Sequence, residues 1–215
     1  MKRLILSIAL LPMVFVAAPV GAQKDIGVKD GKAHGLKPKV DPKASRLLAE
    51  ARQNRALWKD FPGFAADIDV NIDGKISRGK LTIDSKGSIK LESLDKAAER
   101  WARQVLTTDV DHRLNADIAE TACYFTDADE TNPLGRAVTL MGDGMGSVYR
   151  VRDKQIVVVN RTVDKMRFAI TVLHSTLNAE GKYLPGSFIV HYWDAESGDL
   201  RKTDAYSQTW KRVGA

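Results

Sequence analysis

The sequence predicts an α+β fold: a large curved, mainly antiparallel sheet, an incomplete or open barrel, with two helices packed on it. Three observations predict it. Two stretches in the first half repeat apolar residues at helical spacing. Roughly ten short stretches, most of them in the second half, alternate or run apolar over strand lengths. The turns between them are too short for crossover helices, so neighbouring strands must run antiparallel. At 215 residues, 44% hydrophobic and 28% charged, the chain has material for one domain with a sizeable core.

The chain opens with Lys2 and Arg3, an apolar run from Leu4 to Ala18, and the small residues Val20-Gly21-Ala22. That order predicts a secretory signal peptide over residues 1–22, too short and too Pro-interrupted for a membrane span. Residues 23–42, with Gly27, Gly31, Gly35 and Pro38, read as a flexible leader, and residues 43–215 as a single α+β domain. The expected location is periplasmic or secreted. The net charge of +6 is uneven: residues 24–60 carry ten Lys/Arg against five Asp/Glu, and residues 61–215 carry 21 against 22. A near-neutral body argues against nucleic acid as a partner. The basic front segment is compatible with transient contact at an anionic membrane surface.

The elements follow in order. Asp41-Pro42 reads as a helix cap and first turn, and Ala44, Leu47, Leu48, Ala51 and Trp58 form the apolar stripe. The helix is expected to stop before Phe61-Pro62-Gly63. From Phe64 to Ile72 the period changes to two, and Asp73-Gly74 turns the chain into a return strand through Ile76, Leu81 and Ile83. A third strand covers 88–91. Ser93 is the expected cap of a second helix carrying Leu94, Ala97, Ala98, Trp101, Val105 and Leu106, with Asp109–Asp117 as a connector. Seven further strands are expected near 121–126, 134–140, 147–152, 155–161, 165–178, 187–193 and 203–212.

Two of these late strands are apolar on both faces. Phe168, Ile170 and Val172 oppose Ala169 and Leu173, and Phe188, Val190 and Tyr192 oppose Ile189 and Trp193. Either helices cover one face or the sheet curves around a cavity. On the cavity reading, Trp101, Phe168, Ile170, Tyr192 and Trp193 line the site of a lipid or other apolar small molecule.

The polar motifs leave bland and functional readings side by side. Asp109-Val110-Asp111-His112-Arg113 is the densest polar cluster. His112 and Arg113 tie helix to sheet on the structural reading. On the catalytic one, Asp111 and His112 act with His174 and His191. Asp69-x-Asn71-x-Asp73-Gly74 imitates the opening of a calcium loop, but Lys80 stands where the bidentate acid belongs, so no metal is expected. No cofactor motif is present: Gly142–Gly146 lacks the Lys-Ser/Thr pair of a phosphate loop and reads as a turn. Cys123, the single cysteine, reads as a buried thiol, with a nucleophile or a dimer bridge as alternatives.

Several segments together carry a resemblance: Ala51-Arg52-x-Asn54-Arg55, Phe61-Pro62-Gly63-Phe64-x-Ala66-Asp67, Trp101 through His112-Arg113, Tyr149-Arg150-Val151, Leu184-Pro185, Tyr192-Trp193 and Trp210. The chain resembles a bacterial family of exported proteins known only as a domain of unknown function. That resemblance implies no activity and carries over no site residue. More distantly, the element order is similar to that of periplasmic lipoprotein-carrier proteins, which implies an open barrel holding acyl chains under helices. The functional expectation is an exported protein that binds an apolar ligand. A small-molecule enzyme using Asp and His groups is the alternative, and a structural or protein-interaction module is the third reading. The sequence does not set the oligomeric state.

Overall fold

The computed structural model describes residues 39–114 and 121–211. The signal-like segment and nearly all of the leader lie outside the described residues. In chain order the elements are α1 (Pro42–Gln53), β1 (Phe64–Ile72), β2 (Lys75–Ile83), β3 (Ile89–Glu92), α2 (Lys96–Leu114), β4 (Cys123–Phe125), β5 (Arg136–Leu140), β6 (Val148–Arg152), β7 (Gln155–Val163), β8 (Met166–Leu177), β9 (Tyr183–Asp194) and β10 (Leu200–Ser207). The α+β class and the antiparallel pairing are as the sequence predicts. The strands divide between two open sheets, one of three strands in the order β1-β2-β3 and one of seven in the order β10-β9-β8-β7-β6-β5-β4. Neither closes into a barrel.

Each sheet takes one helix. On the small sheet, Ile68, Val70, Leu81, Ile83 and Leu91 meet Ala98, Ala102, Leu106 and Val110 of α2. On the large sheet, Ala44, Leu48 and Ala51 of α1 meet Cys123, Val138, Tyr149 and Val151. The alanines matter: without bulk, they let each helix lie close to its sheet, and the strand side chains fill the gap. α1 packs on β4, β6 and β7. Strands β8 to β10 extend beyond it.

Local chemistry sets the helix ends. Asp41 caps α1, its carboxylate accepting from the Lys43 and Ala44 amides. α1 stops at Gln53, not near Pro62. The chain leaves the helix because Asn54–Ala56 pairs with β9: the Ala56 amide donates to the Tyr183 carbonyl at 2.9 Å, and the Tyr183 amide donates to the Asn54 carbonyl at 3.0 Å. Trp58 therefore belongs to the small sheet's core, stacked on Phe61 at 4.3 Å between ring centroids. For α2, Asp95 replaces Ser93 as the cap, accepting from the Ala97 and Ala98 amides. The helix also runs further than its apolar start suggests. Asp109, Asp111, His112 and Arg113 are its last turns, not a connector.

The Asp73-Gly74 turn closes the β1–β2 hairpin, with both residues at positive φ. The wet face of β1 is neutralised across the hairpin: Asp67 pairs with Lys80 at 2.9 Å and Asp69 with Arg78 at 3.4 Å. Gly135 is required more strictly. It has φ +80°, and a Cβ there would lie 2.2 Å from the Val151 carbonyl oxygen. Among the described residues no helix is long and apolar enough to cross a membrane.

Candidate functional site

The register of the large sheet places side chains on its two faces. Val159 pairs with Ile170 and Arg161 with Phe168, while Phe168 pairs with Tyr192 and Ile170 with Val190. Strand alternation puts all six on the face that carries α1. Phe168, Ile170 and Tyr192 are half-buried there, with Val190 buried between strands. The Phe168 and Tyr192 rings lie 6.2 Å apart, and Phe188 stacks on Tyr206 at 4.6 Å. This is an apolar strip beyond the reach of α1.

Trp193 points to the opposite face, under the Arg167 guanidinium and beside His191. It still meets Phe168 and Tyr192 at one place. An open depression of about 750 Å³ at the β7–β8 turn is lined by those three residues together with Met166, Asp194 and Arg201. Trp101 and Ile170 are not part of its lining. Trp101 packs with the small sheet's core, because α2 covers that sheet.

The candidate catalytic groups lie on three elements, Asp111 and His112 on α2, His174 on β8 and His191 on β9. His191 contacts Thr203 through Nδ1 at 3.0 Å, on the face away from Phe168. His174 does not continue the Phe168–Ile170 face in regular alternation, because the register shifts on both sides of it. It is exposed, as is Asp111. Among the described residues no contact joins His112, His174 and His191, and no group of three His, Cys, Asp or Glu side chains could hold a metal. Cys123 is buried under α1, where its Sγ lies 3.6 Å from the Ser45 hydroxyl and burial pushes the thiol pKa up. That suppresses the thiolate a nucleophile needs.

A polar cluster does assemble, where the exits of α1 and α2 meet the large sheet. Arg113, 6% exposed, donates to the Ala56 carbonyl at 3.0 Å and lies over the Trp210 ring at 4.6 Å. Trp210 Nε1 donates in turn to the Pro185 carbonyl, and Gln208 holds the Asp109 carboxylate through both oxygens at 3.3 Å. These bonds tie the last turn of α2 to β9 and to the chain after β10. Arg161 donates to the Tyr149 hydroxyl, with its guanidinium 5.5 Å from the ring. Arg52, hydrogen-bonded to Thr121 at 2.7 Å, lies 5.8 Å from the same ring.

Three cations of this cluster are short of partners. Among the described residues no carboxylate lies within ion-pairing distance of Arg55, Arg113 or Arg161. The Nε atoms of Arg55 and Arg161 are buried without a hydrogen bond. All three cations act on His112. Its tip reaches solvent, yet the protein around its ring disfavours the imidazolium, and the charges of Arg55, Arg113 and Arg161 lower its pKa further. The Tyr183 phenol is pushed up by burial, against the pull of the Ile156 backbone amide and of the Arg55 and Arg113 charges.

Sequence reasoning singled out Arg113 but missed Arg55, Arg161, Tyr149 and Tyr183 as a group. A signal for two of the arginines exists in the sequence. Arg113 continues the stripe Ala102, Leu106, Val110, and Arg161 continues Val159 on one strand face. A cation in register with apolar residues is a cation carried inside. Residues 39–215 match the family described as Protein of unknown function (DUF3386). No curated protein matches the chain, and no solved structure does.

Proposed function

We propose that this chain, which belongs to the DUF3386 family, binds an apolar ligand along the strip of its seven-stranded sheet that α1 leaves uncovered. One observation carries the proposal: Phe168, Ile170 and Tyr192 stand side by side on neighbouring strands, half-buried, with an open depression of about 750 Å³ at one end. A ligand of drug or fatty-acyl size fits such a volume. Each methylene it removes from water is worth about 0.8 kcal/mol. The proposal includes export to the periplasm or medium, on the basis of the Lys2–Ala22 segment. Histidine catalysis has less support, because Asp111 and His112 lie on α2 while His174 and His191 lie on β8 and β9.

The test is equilibrium binding of a fluorescent fatty acid to the purified chain. Saturable binding is expected, weakened roughly tenfold by Phe168→Asp or Ile170→Asp, because a well-buried side chain of this size contributes about 1.5–3 kcal/mol. Ile76→Asp, at an exposed position on the small sheet, should leave binding unchanged. Absence of saturable binding, or equal loss with Ile76→Asp, would contradict the proposal.

A further inference from the structure

We propose that Arg161, in the polar cluster it shares with Arg55 and Arg113, seats an anionic headgroup, a carboxylate or phosphate, whose apolar tail lies along Phe168 and Ile170. This rests on the apolar-ligand reading above and names the ligand class: an anionic amphiphile.

The physical argument begins with an imbalance. A guanidinium taken out of water is costly unless it is paired and hydrogen-bonded. Arg161 has one side-chain partner, the neutral Tyr149 hydroxyl, and its Nε is buried with none. Arg55 Nε is in the same state. Arg113 is buried and donates to a neutral carbonyl. Tyr183, 3% exposed, lies on the strand that Arg55 and Ala56 flank, with its hydroxyl facing the Ile156 backbone. Asp109 is the acid whose charge reaches Arg113, but its oxygens are engaged by Gln208. The cluster therefore holds excess positive charge, and Arg161 carries a buried donor with no acceptor. An oxyanion supplies the missing acceptors and the missing charge together, and guanidinium groups match its geometry.

Position supplies the second half of the argument. Arg161 pairs across β7 and β8 with Phe168, and Val159 pairs with Ile170. Cation and apolar strip are thus adjacent on one face, one residue pair apart. A headgroup held at Arg161 leaves its tail beside Phe168 and Ile170. A ligand with only one of these two parts would use only half of the arrangement.

The experiment compares three probes on the full chain: a fluorescent fatty acid, its methyl ester and inorganic phosphate as a competitor. The acid should bind roughly tenfold or more tighter than the ester, the usual advantage of charge-assisted hydrogen bonds over neutral ones. Arg161→Gln and Arg55→Gln should each bring the acid down toward the ester and leave ester affinity unchanged. Ester affinity guards against misfolding, since a variant that fails to fold loses both probes. Equal binding of acid and ester, unchanged by these variants, would overturn the headgroup inference while leaving the apolar-ligand reading standing. Failure of both probes to bind would overturn both. Saturable phosphate binding without any acid-over-ester preference would assign the cluster to a free oxyanion and overturn the amphiphile.

Discussion

Arg161 and Phe168 stand directly opposite one another on β7 and β8, a cation and an aromatic ring on one face of the same sheet. The pairing joins the two halves of the proposed site. The arginine belongs to the polar cluster where both helices end, and the phenylalanine opens the strip that neither helix covers.

Arg113 should support the fold more than its neighbour does. Arg113→Ala leaves the Ala56 carbonyl unpaired inside the protein and removes the plane that lies over Trp210. A loss of about 1–3 kcal/mol is expected, read as a lower melting temperature. His112→Ala should change little near neutral pH, because the ring reaches solvent. Its lowered pKa adds a sign. The neutral ring favours the native state above its unfolded value of 6.5, and stability is lost as pH falls through it. His112→Gln should therefore melt higher than the parent at about pH 5.5. Equal melting of Arg113→Ala and parent would remove Arg113 from the fold's supports.

The junction of β5, β6 and the preceding loop depends on one acid. Asp127 pairs with Arg150 at 3.0 Å and with Arg136 at 3.4 Å, and accepts from the Ala137 amide at 3.1 Å. All three side chains are largely covered, with Asp127 17% exposed. Asp127→Ala leaves the Ala137 amide unpaired and takes one anion from Arg136 and Arg150, which keep Glu130 and the Gly135 carbonyl, so a loss of about 1–3 kcal/mol is expected in urea unfolding. A loss below about 1 kcal/mol would mean that solvent already screens the junction.

Asp109 makes the opposite kind of contribution. Burial raises its pKa above 3.8, and neither the Gln208 amide nor the Arg113 charge fully cancels that effect. A raised carboxyl favours the native state below its unfolded value, and the advantage is lost as pH rises through the folded value. Asp109→Asn, which can still accept from Gln208, should therefore raise the melting temperature near pH 7. The gain should vanish when both states are protonated at about pH 3. A lower melting temperature at pH 7 would show that the charge pairing with Arg113 outweighs burial.

The Asp69–Lys80 hairpin should not take up calcium. Asp69 already faces Arg78 across the strand pair, and Lys80, paired with Asp67, occupies the position of the bidentate acid. Calorimetric titration with calcium should give no saturable heat. Micromolar binding lost in Asp73→Asn would contradict this.

What the sequence could reveal followed from local chemistry. The alternation from Phe64 to Ile72 with Asp73-Gly74 set the first hairpin, and Asp41-Pro42 set the start of α1. Both signals act within a few residues. The end of α1 was not legible, because a distant partner, Tyr183 on β9, competes for Asn54 and Ala56. Ser93, the expected cap of α2, has φ +64°, and Asp95 caps the helix in its place. The division into two sheets depends on where α2 carries the chain between β3 and β4, which strand periodicity does not encode. The apolar strip was legible at Phe168, Ile170 and Tyr192, since period two is local. Trp101 shares their chemistry but not their sheet. The arginine cluster assembles from the segment after α1, from α2 and from β7, and only the fold brings those three segments together.

The most direct measurement is a residue-resolved nuclear magnetic resonance titration of the labelled chain with dodecanoate. Saturable shifts should concentrate at Phe168, Ile170, Val190 and Tyr192 and at the side chains of Arg55 and Arg161. The small sheet, sampled at Ile68 and Leu81, should stay unmoved. Shifts absent at saturating dodecanoate, or spread evenly over both sheets, would contradict an amphiphile site on the uncovered face.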